Sequence, residues 1–151
     1  VSPRVLFRAL ALAEAVTWTL LIIGMLLKYA FEVTDVGVSI GGGLHGFAFL
    51  AFAAASVILS VNQRWSLAVT LLALASAVVP YATIPVERWL ERHGHLDGDW
   101  RRVATDHPRD GSAVNRMLRW ALANTVLFAA LVVVVVAGVF VALLVVGPPG
   151  A

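Results

Sequence analysis

Charged residues fall in clusters along this chain, and the gaps between the clusters are long. Residues 5–27 are apolar apart from Arg8 and Glu14, and residues 36–61 carry no formal charge, with His45 their one ionisable group. Residues 65–86 and 120–146 are uncharged as well. A membrane crossing takes about 20 apolar residues at a rise of ~1.5 Å each. Four segments reach that length. The pattern therefore predicts an all-α fold, an integral membrane four-helix bundle.

The connections differ in character. Asn62-Gln63-Arg64 leaves room only for a tight antiparallel turn between spans two and three. Residues 28–35 form a brief polar loop with two acids, whereas residues 87–119 are a long polar stretch holding seven of the eleven Lys and Arg. There Pro85 precedes Glu87 and Glu91, Arg92 and His93 follow, and Gly94 stands where a helix would stop. That order matches helix start and stop chemistry and predicts a short interfacial helix after the third span. Trp89 on it, with Tyr29, Trp65 and Trp120, falls where aromatic belts form. The domain reading is a three-helix membrane unit over residues 1–93, a polar loop over 94–112, and a fourth transmembrane helix with its tail over 113–151.

Four spans put both termini on one side, with Arg4, Arg8 and Arg64; the other side collects Lys28 and the seven basic residues of the long loop. The positive-inside rule then places that loop in the cytoplasm and both termini outside a bacterial inner membrane. Arg4 and Arg8 resemble the start of a signal peptide, but Glu14 interrupts the apolar core and no small-x-small cleavage site follows. The first span is expected to stay.

Composition narrows the class. Hydrophobic residues make up 60% of the 151, charged residues only 13%, and cysteine is absent, with a mean hydropathy of +0.89. Soluble domains carry about 25% charged residues, so roughly half the usual solvating charge is missing. Disorder, a disulfide scaffold and a cysteine metal site are excluded. The net charge of only +2 makes nucleic acid a poor partner. The lipid bilayer is the partner that composition names, and no cofactor is expected.

Glu14 is the first residue that could carry chemistry. A charged carboxylate deep in a bilayer costs at least ~2.5 kcal/mol, so it must be neutralised, paired or turned inward. Thr17 and Trp18 share its helical face and offer a hydroxyl and an indole N–H. His45 opens the second span in a glycine-rich run, beside a narrow face of small residues, Gly42, Gly46, Ala53, Ser56 and Ser60, that suits close helix packing. Helix lengths put Glu14 level with Ala53 to Ser56, so Glu14 and His45 are not expected to meet. Lys28, Tyr29, Tyr81 and Glu87 are expected near His45 as a polar cluster at the helix ends, with Pro80 and Pro85 freeing backbone carbonyls there. In the long loop, His93, His95, Asp97 and Asp99 alternate, but their spacing fits no established zinc or calcium motif. A solvated loop is the plainer reading, and no metal site is assigned. No catalytic motif is visible.

Residues 9–91 resemble the small bacterial integral-membrane proteins grouped as domain of unknown function 3817, the YdzA-like proteins. The matching pieces are Ala13-Glu14, Leu27-Lys28-Tyr29, Gly43-Leu44-His45-Gly46-Phe47, Pro80 and Glu87. The resemblance implies a three-helix unit to which the loop and fourth helix are added. It supplies no activity, but it raises Glu14, Lys28, Tyr29 and His45 as residues to test. The favoured expectation is a non-enzymatic membrane protein that packs as a homo-oligomer or as an accessory subunit of a larger membrane complex. The alternative is a small oligomeric ion or proton transporter using Glu14 and the His45/Lys28 cluster.

Overall fold

The structure is a computed structural model that describes residues 1–147; the end of the expected C-terminal tail, residues 148–151, lies outside the described residues. Six α-helices follow in order: α1 (Pro3–Met25), α2 (Val36–Asn62), α3 (Leu67–Ser76), α4 (Thr83–Arg92), α5 (Ala113–Ala123) and α6 (Thr125–Val146). Among the described residues three helices are long and apolar enough to cross a membrane: α1 with the π-helical turn that continues it to Ala30, α2, and α6. No strand occurs among these residues.

The expected third span is where sequence and structure part. The uncharged run over 65–86 does not make one helix. α3 begins on a Ser66 cap, whose hydroxyl accepts from the Val69 N–H at 3.3 Å, and it stops after ten residues. Ten residues rise ~15 Å, about half of a bilayer core. Pro80 lacks the N–H a continuing helix needs, Tyr81 takes a left-handed conformation at φ +65°, and the chain reverses into α4. The segment is a helical hairpin, and the helix expected at the interface is its returning arm.

A ladder of contacts along α1 fixes that path. The Trp18 indole donates to the Ala77 carbonyl at 3.3 Å and Thr19 Oγ1 lies 3.1 Å from the Tyr81 hydroxyl, both at the tip. Lower down, Thr83 donates to the Ala11 carbonyl at 3.1 Å and Arg8 reaches Glu87 at 2.9 Å. Arg8 also meets Glu91 at 2.6 Å, and Arg4 pairs with the same acid. At the base, the Trp65 indole donates to the His95 carbonyl at 2.7 Å, tying the start of the hairpin to its end. Irregular backbone at membrane depth is tolerated where it is covered by protein, and α1 supplies that cover. The core sits in the lower half, where Phe7, Phe52 and Trp65 pack ring on ring and Ala73, Ala77 and Leu90 close around them.

The described ends of the chain, near Pro3 and Val146, therefore do not meet. α1 and α2 are antiparallel, the hairpin returns to the side it left, and α6 runs back along α2, its Phe140 stacked edge-on against Phe47 with ring centroids 6.1 Å apart. Pro3 and Val146 lie at opposite ends of the bundle. Ten of the eleven basic residues gather at the Pro3 end, with Lys28 alone at the other.

Candidate functional site

Two buried polar groupings stand out. The first is in the membrane-spanning half. Glu14 is 0% exposed, and neither carboxylate oxygen has a hydrogen-bond partner among the described residues. His45 Nδ1 lies 3.6 Å from Glu14 Oε2, so the two groups meet after all. α2 starts at Val36, which puts His45 well inside the helix instead of at its mouth. Close approach of the two backbones does the rest. A Cβ on Gly24 would stand 2.4 Å from the Gly37 carbonyl, and one on Gly41 2.9 Å from the Leu20 oxygen. At Gly24, Gly37 and Gly41 the α1 and α2 backbones thus touch.

The neighbours of the pair are already engaged. Thr17 Oγ1 donates to the Glu14 backbone carbonyl at 3.0 Å and lies 3.3 Å from His45 Nδ1. The Trp18 ring stacks on His45 at 4.2 Å while its N–H goes to Ala77. Neither Thr17 nor Trp18 caps the Glu14 carboxylate. Of the small-residue face, Gly42 lies beside Leu21, Gly46 faces Phe140 of α6, and buried Ser56 donates to the Phe52 carbonyl at 2.8 Å. Ala53 and Ser60 are half-buried, with the Ser60 hydroxyl turned to the Val57 carbonyl at 2.7 Å.

The cluster expected around His45 is dispersed. Lys28 lies 5.4 Å over the Tyr29 ring at the far end, Tyr81 is at the hairpin tip, and Glu87 is bound to Arg8 near the base. The expected cluster put these residues at one level because it assumed a straight third span. His93 bonds the Trp89 carbonyl at 2.8 Å, the His95 ring lies 5.4 Å from Trp89, and the Asp99 carbonyl accepts from Asn62 at 3.3 Å. Asp97 stands beside Gly94. Among the described residues no group of three or more His, Asp or Glu is placed to hold a metal ion.

The second grouping lies outside the membrane spans. Asp110, 2% exposed, accepts from Arg101 at 2.6 Å, from Arg64 at 2.8 and 3.3 Å, and from the Thr105 N–H and hydroxyl at 2.9 Å each. These donors, the Arg64 guanidinium first, hold its carboxyl well below the usual aspartate range. Arg101 also donates to the last carbonyls of α2, at Val61 and Asn62, and to Asn115 of α5 at 2.7 Å. Burial, then the neighbouring Arg64 charge, pulls Arg101 below its ordinary value. Arg64 takes the left-handed position after α2 that glycine usually fills, with the Trp65 N–H closing back on the Ser60 carbonyl at 2.9 Å. This knot clasps α2, the loop and α5 together. Sequence reading missed it, because loop residues far apart carry no spacing signal.

The domain of unknown function model (DUF3817) matches residues 5–92, which takes in α1, α2 and the helical hairpin. The chain belongs to the DUF3817 family. Glu14 and His45 lie within the matched DUF3817 region, whereas Arg101, Asp110, α5 and α6 lie beyond it. A candidate membrane protein of Streptomyces coelicolor is 43% identical over 91 residues, which is 60% of this chain and 11% of that one. This DUF3817 chain therefore spans only a small part of that relative's length. No solved structure gives a significant match.

Proposed function

We propose that this chain is a non-enzymatic unit of the bacterial inner membrane that works by assembly, with copies of itself or with a larger membrane complex. The observation that carries the reading is the setting of its relative, where the matching stretch is 11% of a much longer chain. A compact module of two spans and a re-entrant hairpin suits that role. The apolar faces of α6, whose one buried residue is Val136, leave surface for a neighbour. Purification in mild detergent followed by mass measurement of the intact particle tests it. A multimer or a stoichiometric membrane partner is expected; a monomer that captures nothing overturns the reading.

The orientation proposed is the arginine-rich end in the cytoplasm, with the Pro3 end of α1 inside and the Val146 end of α6 outside. Ten basic residues against one support it. The chain has no native cysteine, so single cysteines report accessibility cleanly. In intact cells an impermeant thiol reagent should miss Val1→Cys and Ser112→Cys and label Thr34→Cys. Labelling of Val1→Cys would overturn the assignment.

A second reading, a small oligomeric ion or proton transporter, is favoured by the Glu14 carboxylate alone, which has no hydrogen-bond partner among the described residues. Proton or cation flux in reconstituted vesicles, lost in Glu14→Gln, would support it. Flux no greater than in empty liposomes would count against it.

A further inference from the structure

We propose that Glu14 and His45 form an occluded proton-binding site, closed by the tip of the helical hairpin. The inference goes beyond the assembly reading, and it does not require that the proton be moved across the membrane.

The enclosure comes first. Two hydrogen bonds bracket Glu14 along α1, Thr83 to the Ala11 carbonyl on one side and Trp18 to the Ala77 carbonyl on the other. Their hairpin partners, Ala77 at the end of α3 and Thr83 at the start of α4, flank the turn, so the hairpin tip lies across the Glu14 face. On the α2 side His45 is itself 9% exposed, its ring covered by Trp18 and 6.5 Å from Phe49. Glu14 is sealed between these walls.

The chemistry follows from the inventory of partners. A bare carboxylate accepts through several lone pairs and leaves a heavy desolvation cost when none is used. Here neither oxygen is used among the described residues, and His45 Nδ1 stands 3.6 Å from one of them. Two arrangements satisfy the site with the same number of protons. A neutral acid can face a neutral imidazole, or a carboxylate can face an imidazolium. Either way the pair has no net charge, and removal of that one proton leaves a negative charge with no counter-ion.

Other charges do not intrude. Arg8, the next charged group on α1, is held by Glu87 and Glu91 of α4, and Arg88 of the same helix lines the pocket beside Arg8, at the Arg8–Glu87 level. α3 and α6 contain no ionisable residue, and α2 has only His45. Tyr81 at the tip is paired with Thr19. The proton therefore belongs to Glu14 and His45 together.

Infrared spectra of the full chain in lipid nanodiscs at neutral pH, with Glu14→Gln and His45→Asn alongside, test the proposal. Either a protonated-carboxyl carbonyl stretch that is lost in Glu14→Gln, or imidazolium ring modes that are lost in His45→Asn, is expected. Thermal melting serves as the fold control. If a variant fails to fold, wild-type protein carrying carboxyl-labelled glutamate gives the same reading, because Glu32 is exposed and Glu87 and Glu91 are ion-paired. A labelled carboxylate spectrum with neutral histidine overturns the proposal. So does a Glu14 signal that responds to sodium at constant pH, which would make the site one for a monovalent cation.

Discussion

Asp110 and Glu14 are both buried carboxylates, 2% and 0% exposed, but their surroundings are opposite. Asp110 receives two arginines, a hydroxyl and a backbone N–H. The Glu14 carboxylate receives no hydrogen bond among the described residues and has one histidine within 3.6 Å. A fully satisfied buried network rigidifies the elements it joins, whereas an unsatisfied group keeps its demand for a proton or partner. The contrast separates a structural acid from a chemical one. It also follows the fold: the clasp is at the water-facing end, and the orphan is at hairpin-tip depth.

The largest effect is expected from breaking the clasp. Arg101→Ala removes one of two arginines on buried Asp110 and the cap on the last carbonyls of α2, breaking several hydrogen bonds to a charged group at about 1.5–3 kcal/mol each. A large drop in melting temperature should result, with protease cleavage appearing between residues 99 and 112. Unchanged melting would show that the clasp contributes nothing. Acid probes the same contact. Asp110 titrates below its unfolded value, so its contribution is complete above the ordinary aspartate range and is lost only as pH falls through the depressed value. The loop should stay docked in mild acid and be released to pepsin only in strong acid.

How much of this was legible in the sequence depends on the element. Spans one, two and four stand as long apolar helices, because an apolar run of about 20 residues satisfies its backbone most simply as one helix. The run over 65–86 had a choice. Hydropathy reports residence in the apolar phase, not the path through it, and the same residues can cross once or dip and return. Pro80 was visible as a break, and Glu87 and Glu91 stand at the spacing of Arg4 and Arg8 along a helix, so the pairing signal was present. The straight-span assumption concealed it and misplaced the Lys28, Tyr29, Tyr81 and Glu87 cluster. Glu14 was legible as an intramembrane acid. Its meeting with His45 was not, because the register of α1 on α2 is set by Gly24, Gly37 and Gly41, and the small-residue stripe was read one position along.

That register gives the next prediction. Gly24→Ala puts a methyl group 2.4 Å from backbone atoms of Gly37 that cannot swing away. Overpacking of this kind costs about 1–3 kcal/mol. Gly46→Ala, whose new Cβ would stop 3.4 Å from the edge of Phe140, should be close to neutral. Melting temperatures of the two variants in one detergent decide it. Equal losses would mean that the α1–α2 contact is looser than described, and with it the approach of His45 to Glu14.

The smallest stability effect should come from the residue with the strongest chemical demand. Glu14→Gln keeps the size of the side chain and exchanges a titratable carboxyl for a neutral amide. In the clasp the equivalent exchange, Asp110→Asn, strips the counter-charge from Arg64 and Arg101 and puts amide donors where the carboxylate only accepted. The Glu14 carboxylate has no hydrogen bond to lose among the described residues, and a group that needed neutralising is removed. Glu14→Gln should therefore leave the melting temperature unchanged or raise it slightly, while Asp110→Asn lowers it. Measuring both beside the wild type across the mild acid to mild alkaline range sharpens the contrast, because Glu14→Gln alone lacks the Glu14–His45 proton. If Glu14→Gln destabilises as severely as Asp110→Asn, the carboxylate has a structural partner after all, and the division between the two sites fails.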